Sequence, residues 1–376
     1  MNVKDYIKEN TEELYELLHT LCLIPAPSNN EEKRAEFCHK WFLKNGMKEA
    51  YIDGAKNVIF PYQAQGSKKL TVFAAHTDTV FPDLEPMPYT DDGEYIHCPG
   101  VGDDTASLAV LMLVARYFVR NNIKTDGVLF VCNSCEEGLG NLKGVRQLFN
   151  DYEGRVANFV SFDDSKLTHG VDACVGSHRY EVELTTPGGH SFVAFGNENA
   201  IAEISKIING IYSITPPEKA GKRVTYNVGM ISGGTSVNTI AQSAKMLCEY
   251  RSDDKDLLAY MKAQFEGIFA SAETESVHVK VELVGDRPCA SEVSPEAMEK
   301  LKGIHGAVLR EVINEQPVYE SGSTDCNIPL SLGIPAITIG VYQGDGTHTR
   351  AERLKKASLI SGFEIGLKFA LNLTEI

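Results

Sequence analysis

Leu70-Thr71-Val72-Phe73-Ala74-Ala75-His76-Thr77-Asp78-Thr79 is a short apolar run that stops on a histidine, with an aspartate two residues further along. Such a run reads as a strand buried on both faces, the kind found in parallel sheets. Runs of the same character recur at 127–133, 158–162 and 336–341, and helical patterns alternate with them, a buried one at 105–120 and a C-terminal one at 358–371. Strands alternating with helices indicate an α/β domain with a mostly parallel sheet. Two helices precede it. Ile7, Leu14, Leu17, Leu18 and Leu21 recur at helical spacing, as do Phe37, Cys38, Trp41 and Phe42. Ser28-Asn29-Asn30-Glu31-Glu32 offers the second helix an N-cap and an acidic first turn, and Gly46 a stop.

The rhythm changes in the middle of the chain. Segments 180–186, 224–231, 244–251 and 277–284 read as strands, and 199–214 and 253–270 as helices. Their order, β-α-β-β-α-β, is that of the split ferredoxin-like unit. The expected organisation is therefore an inserted α+β domain at 178–288 within a larger domain made of 1–177 and 289–376.

Composition limits the partners. A net charge of −15 over 376 residues argues against nucleic acid, whose phosphates are held by clustered Lys and Arg. The longest apolar segment, 108–119, is too short to span a membrane. The first residues show no basic stretch followed by an apolar one, so no secretory leader is expected. Nine scattered cysteines do not form a disulfide framework and fit a reduced, cytoplasmic protein.

Five segments carry histidine or acidic residues at expected strand ends: His76-Thr77-Asp78, Gly102-Asp103-Asp104-Thr105, Cys135-Glu136-Glu137, Asp163-Asp164 and Thr347-His348-Thr349. Singly, each also reads as a satisfied histidine, a solvated acidic pair or a helix N-cap. What joins them is their place, because open α/β sheets bind ligands at the carboxyl ends of their strands. Imidazole and carboxylate without cysteine suit Zn²⁺ or a neighbouring divalent ion such as Mn²⁺ or Co²⁺. Cys132-x-x-Cys135 has redox spacing but lies on a strand end beside Glu136. Gly100-Val101-Gly102 is too short for a dinucleotide fingerprint, and Ser177 and Ser191 lack the Gly-x-Ser-x-Gly elbow of a serine hydrolase.

Taken in order over nearly the whole chain, these segments resemble the co-catalytic zinc family that includes peptidase T, carboxypeptidase G, succinyl-diaminopimelate desuccinylase, acetylornithine deacetylase and aminoacylase. The resemblance implies two divalent ions, most simply zinc. His76 and Asp163 would complete one site, Glu137 and His348 the other, and Asp103 would bridge them ahead of a cis peptide to Asp104. Glu136 matches the family's general acid/base and Asp78 the residue that orients the first histidine. Many members have Lys-Gly after the Asp pair where this chain has Thr105-Ala106.

In the inserted domain, Pro187-Gly188-Gly189-His190-Ser191 resembles the segment whose histidine stabilises the oxyanion, usually in the partner subunit's site. Asn238 matches a substrate contact, and Arg251 the arginine that pairs with a substrate carboxylate. Gly322, in Ser321-Gly322-Ser323-Thr324-Asp325, resembles a loop offering backbone groups to substrate. The resemblance further implies a homodimer paired through the inserted lid, and closure of that lid over the metals. The expected activity is hydrolysis of an amide bond in a small peptide by a metal-activated water. The 225–251 stretch is closer to the peptidase T and tripeptidase branch. An N-acyl-amino-acid deacylase or carboxypeptidase using the same site is the alternative, and a one-metal hydrolase or a non-catalytic metal- and peptide-binding protein the more distant ones.

Overall fold

The computed structural model describes residues 1–374. The chain divides into two compact units, Met1–Cys174 with Ser291–Ile376, and Val175–Ala290. The first unit opens with helices α1 (Val3–Cys22) and α2 (Glu32–Lys44), followed by strands β1 (Tyr51–Ile52), β2 (Val58–Tyr62) and β3 (Leu70–His76). Helix α3 (Ser107–Asn121), strand β4 (Val128–Asn133), helix α4 (Lys143–Asp151) and strands β5 (Val156–Phe162) and β6 (His169–Cys174) come next.

The second unit comprises β7 (Gly176–Thr185), α5 (Ala200–Tyr212), β8 (Val224–Gly233), β9 (Ser243–Ser252), α6 (Lys255–Ser271) and β10 (His278–Arg287). The chain then returns to the first unit with α7 (Pro295–Ile313), β11 (Val318–Gly322), β12 (Ala336–Ile339) and α8 (Ser358–Thr374). Among the described residues no helix is long and apolar enough to cross a membrane.

The main sheet has the order β1-β2-β4-β3-β5-β12-β6-β11. Its centre, β4-β3-β5-β12, is parallel throughout, while β1 and β2 at one edge run antiparallel. The β12–β6 pair is also antiparallel. This mixed, mostly parallel sheet bears out the α/β reading. Every residue of β3 and β4 is buried, as expected for strands covered on both faces. Phe60, Phe130, Phe73 and Phe162 form a row of rings across β2, β4, β3 and β5, with centroids 5.9 to 6.2 Å apart. Phe118 of α3 stands edge-on to Phe130 at 5.2 Å. A one-residue slip of any of these strands would turn its phenylalanine to the other face, so the row fixes the register and with it the level at which each strand ends.

The sheet of the second unit has the order β8-β9-β7-β10, antiparallel throughout. Inward residues of β7 and β9, such as Tyr180, Val182, Met246 and Tyr250, pack with Ile204 and Ile207 of α5 and Phe265 and Phe269 of α6. With two helices on one face of a four-stranded sheet, this is the ferredoxin-like arrangement expected from the β-α-β-β-α-β order.

One local expectation is corrected. The N-cap of α2 is Glu31, with no side-chain capping bond. Ser28 instead donates its hydroxyl to Asp78 Oδ2 at 2.6 Å and to the Glu137 carbonyl at 3.2 Å. The charge-assisted bond to the buried Asp78 carboxylate sets the position of the Ser28 hydroxyl, and the N–H groups that open α2 receive no cap from the Glu31 side chain.

Candidate metal centre

The parallel strands deliver their last residues to one edge of the sheet. His76 ends β3 in register with Asn133, the end of β4, and Glu136 and Glu137 follow three and four residues later. Asp163 follows Phe162 at the end of β5 and donates its backbone N–H to Ile339 at the end of β12. Asp103 comes from the Val101–Ala106 turn ahead of α3, across a cis peptide to Asp104. His348 comes from the loop beyond β12.

These residues converge. Donor atoms of His76, Asp103 and Asp163 lie within 4.8 Å of one another, as do those of His76, Glu136 and Glu137, and those of Asp103, Glu137 and His348. His76 Nε2 is 3.0 Å from Asp103 Oδ1 and 3.9 Å from Asp163 Oδ1. His348 Nε2 is 3.1 Å from Asp103 Oδ2 and 3.0 Å from Glu137 Oε1. Asp103 therefore turns one oxygen to each histidine.

The surrounding chain holds these groups in place. Nδ1 of His76 lies 3.0 Å from the Asp78 carbonyl, which can only accept, so that nitrogen carries the proton. Asp104 Oδ2 accepts the His76 backbone N–H at 2.9 Å. The Asp103 turn needs its glycines. Gly100 has φ +74°, and a Cβ there would lie 2.7 Å from Thr79 Cγ2, while one on Gly102 would lie 2.6 Å from the Tyr342 ring.

The charge balance is unusual. Burial alone would disfavour charge on His76, but Asp104, Asp103, Asp78 and Asp163 hold its imidazolium well above the ordinary range. Burial likewise opposes ionisation of Asp103, yet His348 and His76 hold its carboxyl far below normal. Burial, then Asp104, drives Asp163 well up. Burial and Asp103 push Glu137 up to about 7. Hydrogen bonds to Asp103 and Glu137 raise His348 to about 10. The cluster has more carboxylates than cations to face them.

The donor set fits divalent metal. With its proton on Nδ1, a neutral His76 would aim its Nε2 lone pair at the Asp103 carboxylate 3.0 Å away. That contact requires positive charge, from a second proton or from a cation. Ligands on one tetrahedral Zn²⁺ stand about 3.3 Å apart, close to the histidine–carboxylate separations here, and the group contains only the nitrogen and oxygen donors that such ions accept.

The remaining sequence-nominated residues fall in two places. His190 and Asn238 belong to the second unit and are neighbours there. His190 pairs with Thr239 across a two-stranded ribbon, and the Asn238 carbonyl accepts the Ser191 N–H at 3.0 Å. The His190 ring accepts the Phe192 N–H at Nδ1 (3.2 Å), which leaves Nε2 to carry the proton. Arg251, on β9, is forked onto Glu249, with Nε to Oε1 at 2.8 Å and Nη2 to Oε2 at 3.0 Å. Gly322, in the first unit, ends β11, where a Cβ would come within 2.8 Å of Val171 Cγ2; its small size serves strand packing.

Several residues of the site are not nominated by the sequence. Ser28 bonds Asp78, and Arg34 bonds Thr77 and Thr105. Asn133 donates to Asp325 at 2.5 Å, and burial, then Glu136, lifts that carboxyl to about 8. Glu352 accepts backbone N–H groups of the Asp103 turn. Of these only Asp325 falls in a stretch that the sequence ties to substrate, the end of Ser321-Gly322-Ser323-Thr324-Asp325.

Comparison with known proteins agrees with the fold. The chain is 25% identical to carboxypeptidase G2 of Pseudomonas sp. (strain RS-16) over 327 residues, covering 84% of this chain and 76% of the other. Its structure resembles a tripeptidase from Staphylococcus aureus subsp. aureus Mu50, with a TM-score of 0.74, 22% identity and coverage of 96% and 97%. It also resembles the aminopeptidase PepT of Bacillus cereus ATCC 10987, with a TM-score of 0.72, 20% identity and coverage of 96% and 98%. The model of peptidase family M20/M25/M40 matches residues 72–372, and the chain belongs to that family of metal-dependent hydrolases.

Proposed function

We propose that this protein is an exopeptidase acting on di- or tripeptides, with Glu136 as general acid/base at a two-metal centre. The observation that carries the reading is the placement of Asp103 between His76 and His348, one oxygen to each, with Glu136 grouped beside them. His76 and Asp163 would hold one ion and Glu137 and His348 the other, with Asp103 shared. When bound, two divalent cations, zinc in the first instance and manganese or cobalt as alternatives, would supply Lewis acidity and lower the pKa of bound water.

The chain's own groups do the rest. Glu136 accepts the proton of the attacking water and returns it to the leaving nitrogen. Asp78 fixes the backbone of Glu136 through a hydrogen bond to its N–H. His190, with its proton on Nε2, donates to the oxyanion that develops on the substrate carbonyl. Asn238 contacts substrate, Arg251 receives its carboxylate, and the backbone around Gly322 lines the pocket.

We also propose a homodimer paired through the second unit. Strand β8 lies at the edge of its sheet and exposes Met230 and Ile231, and Phe192, Phe195 and Val237 are exposed nearby in sequence to His190 and Asn238. Nine free cysteines suit a reducing cytoplasm. A carboxypeptidase or N-acyl-amino-acid deacylase with the same machinery is the second reading, favoured by the similarity to carboxypeptidase G2.

The test is hydrolysis of a mixed panel of di- and tripeptides and N-acyl amino acids by enzyme stripped of metal and reloaded with Zn²⁺, Mn²⁺ or Co²⁺, beside Glu136→Gln. Metal-restored cleavage that is lost in the variant supports the mechanism, and the substrates cut separate peptidase from deacylase. Two tightly bound ions without turnover of any substrate would reject the reading in favour of a binding protein.

A further inference from the structure

The turn that carries Asp103 presents three backbone N–H groups to a single acceptor. Gly100 donates to Glu352 Oε2 at 2.7 Å, and Gly102 and Asp103 donate to Glu352 Oε1 at 2.9 Å each. Converging amides of this kind form a nest that receives an anion, and here the chain fills it from within. The Glu352 residue is 2% exposed.

The backbone of Glu352 is equally engaged. Its N–H donates to the Thr349 carbonyl at 3.2 Å, closing the turn just after His348, and its carbonyl accepts the Cys98 N–H at 3.3 Å. One residue thus ties the loop bearing His348 to the turn bearing Asp103, some 250 residues apart in sequence. The turn could not carry a larger side chain in place of its glycines (Gly100 against Thr79, Gly102 against Tyr342), so the carboxylate clamps a backbone that close packing also confines.

We propose that Glu352 is a positioning residue for the metal centre, holding the Asp103 carboxylate between the two histidines so that both ions can share it. The proposal rests on the two-metal reading above. Residues that orient metal ligands commonly change metal affinity or activity by about 10–100-fold when altered. Glu352→Gln preserves size and one oxygen, which can still serve Gly102 and Asp103, but faces the Gly100 N–H with a second donor. Glu352→Ala removes every acceptor. Affinity for metal should therefore fall in the order wild type, Gln, Ala.

The experiment is equilibrium dialysis of folded wild type, Glu352→Gln and Glu352→Ala against graded Zn²⁺ with elemental analysis, together with the visible absorption of the Co²⁺-loaded proteins. The expected result is two ions per wild-type chain, at least tenfold weaker binding in Glu352→Gln, and an altered Co²⁺ band. These readouts do not move for a residue that merely stabilises the fold, and Glu352→Gln supplies them should Glu352→Ala not fold. Wild-type affinity and an unchanged band in folded Glu352→Gln would overturn the positioning role while leaving the two-metal reading intact. A wild type that binds no ions would overturn both.

Discussion

Oδ1 of Asp78 accepts the backbone N–H of Glu136 at 3.0 Å. The same oxygen lies 3.5 Å from Nδ1 of His76, and its partner Oδ2 accepts the Glu137 N–H at 2.9 Å and the Ser28 hydroxyl at 2.6 Å. The closest acceptor of His76 Nδ1 is the Asp78 backbone carbonyl, at 3.0 Å. Asp78 thus orients the histidine mainly through its main chain and moors the Glu136-Glu137 segment with its side chain, setting ligand and base in one frame.

Asp78→Ala should accordingly do two kinds of damage. Two buried amides lose their acceptor and the Ser28 hydroxyl keeps only the Glu137 carbonyl, at about 1–3 kcal/mol for each group left unsatisfied. Allowing for relaxation and water entry, the expected loss is about 2–5 kcal/mol by urea unfolding. At saturating metal, kcat should fall at least tenfold as Glu136 loses its mooring. Unchanged kcat in the folded variant would show that the base does not depend on this clamp.

Arg34 is a second concealed support. It is 1% exposed and donates to the carbonyls of Leu21, Ile24 and Thr77 at 2.7 to 3.1 Å and to Thr105 Oγ1 at 3.3 Å. Its planar fork joins the end of α1 to the residues after His76 and Asp103, and an ammonium cannot reproduce that geometry. Arg34→Lys should cost about 3 kcal/mol by denaturant unfolding. A loss under about 0.5 kcal/mol would mean that a lysine and water replace the fork.

His76, Glu136, Glu137 and Asp163 were legible because they close or soon follow apolar runs, where a histidine or acidic residue has no reason of pattern to be. Asp103 and His348, expected at strand ends, lie instead in a turn ahead of α3 and a loop beyond β12, and only the family resemblance marked them. The supports of these residues were not legible. Glu352 lies in Thr349-Arg350-Ala351-Glu352-Arg353, which reads as ordinary charged surface, and its burial follows from amides of a turn distant in sequence. Arg34 sits among Glu31, Glu32, Lys33 and Glu36 and looks solvated for the same reason. Helix α7 has clear start signals, with Ser294 as N-cap and Pro295 at its first turn, but it carries none of the chemistry that drew the reading to other segments. Strands β1 and β11 are short or exposed and lack the apolar run that marks β3.

Stability in acid should depend on His305. It is fully buried beneath Tyr319 and Phe369, with Nδ1 2.9 Å from the Tyr319 hydroxyl, and burial lowers its pKa to about 4. The unfolded chain binds a proton there near pH 6.5, so between about 6.5 and 4 the unfolded state holds more protons than the folded one. The folded state is therefore favoured fully above pH 6.5 and progressively less as the pH falls towards 4, by about 3 kcal/mol in all. His305→Phe should lack this component. Wild-type and variant stabilities measured from pH 7 to 4 should converge or cross by about that amount, and parallel curves would mean that the ring is not held neutral.

Arg251 offers the sharpest test of substrate recognition, because its fork is already occupied. Glu249, two residues before it on β9, takes Nε and Nη2 and also accepts Arg179 Nε at 3.2 Å. Burial, then the nearby guanidiniums of Arg287 and Arg251, lowers the pKa of Arg179. A substrate carboxylate at Arg251 must compete with Glu249 for the same donors. Arg251→Ala should raise KM for substrates with a free carboxylate by roughly 10–100-fold, the value of a charged hydrogen bond, with kcat little changed. Amidated analogues should be unaffected. Glu249→Gln, which neutralises the internal competitor, should lower KM for the free acids. Equal KM changes for free and amidated substrates would assign Arg251 to the ion pairing of its own sheet, and a rise in KM with Glu249→Gln would mean that Glu249 aims the arginine and does not compete for it.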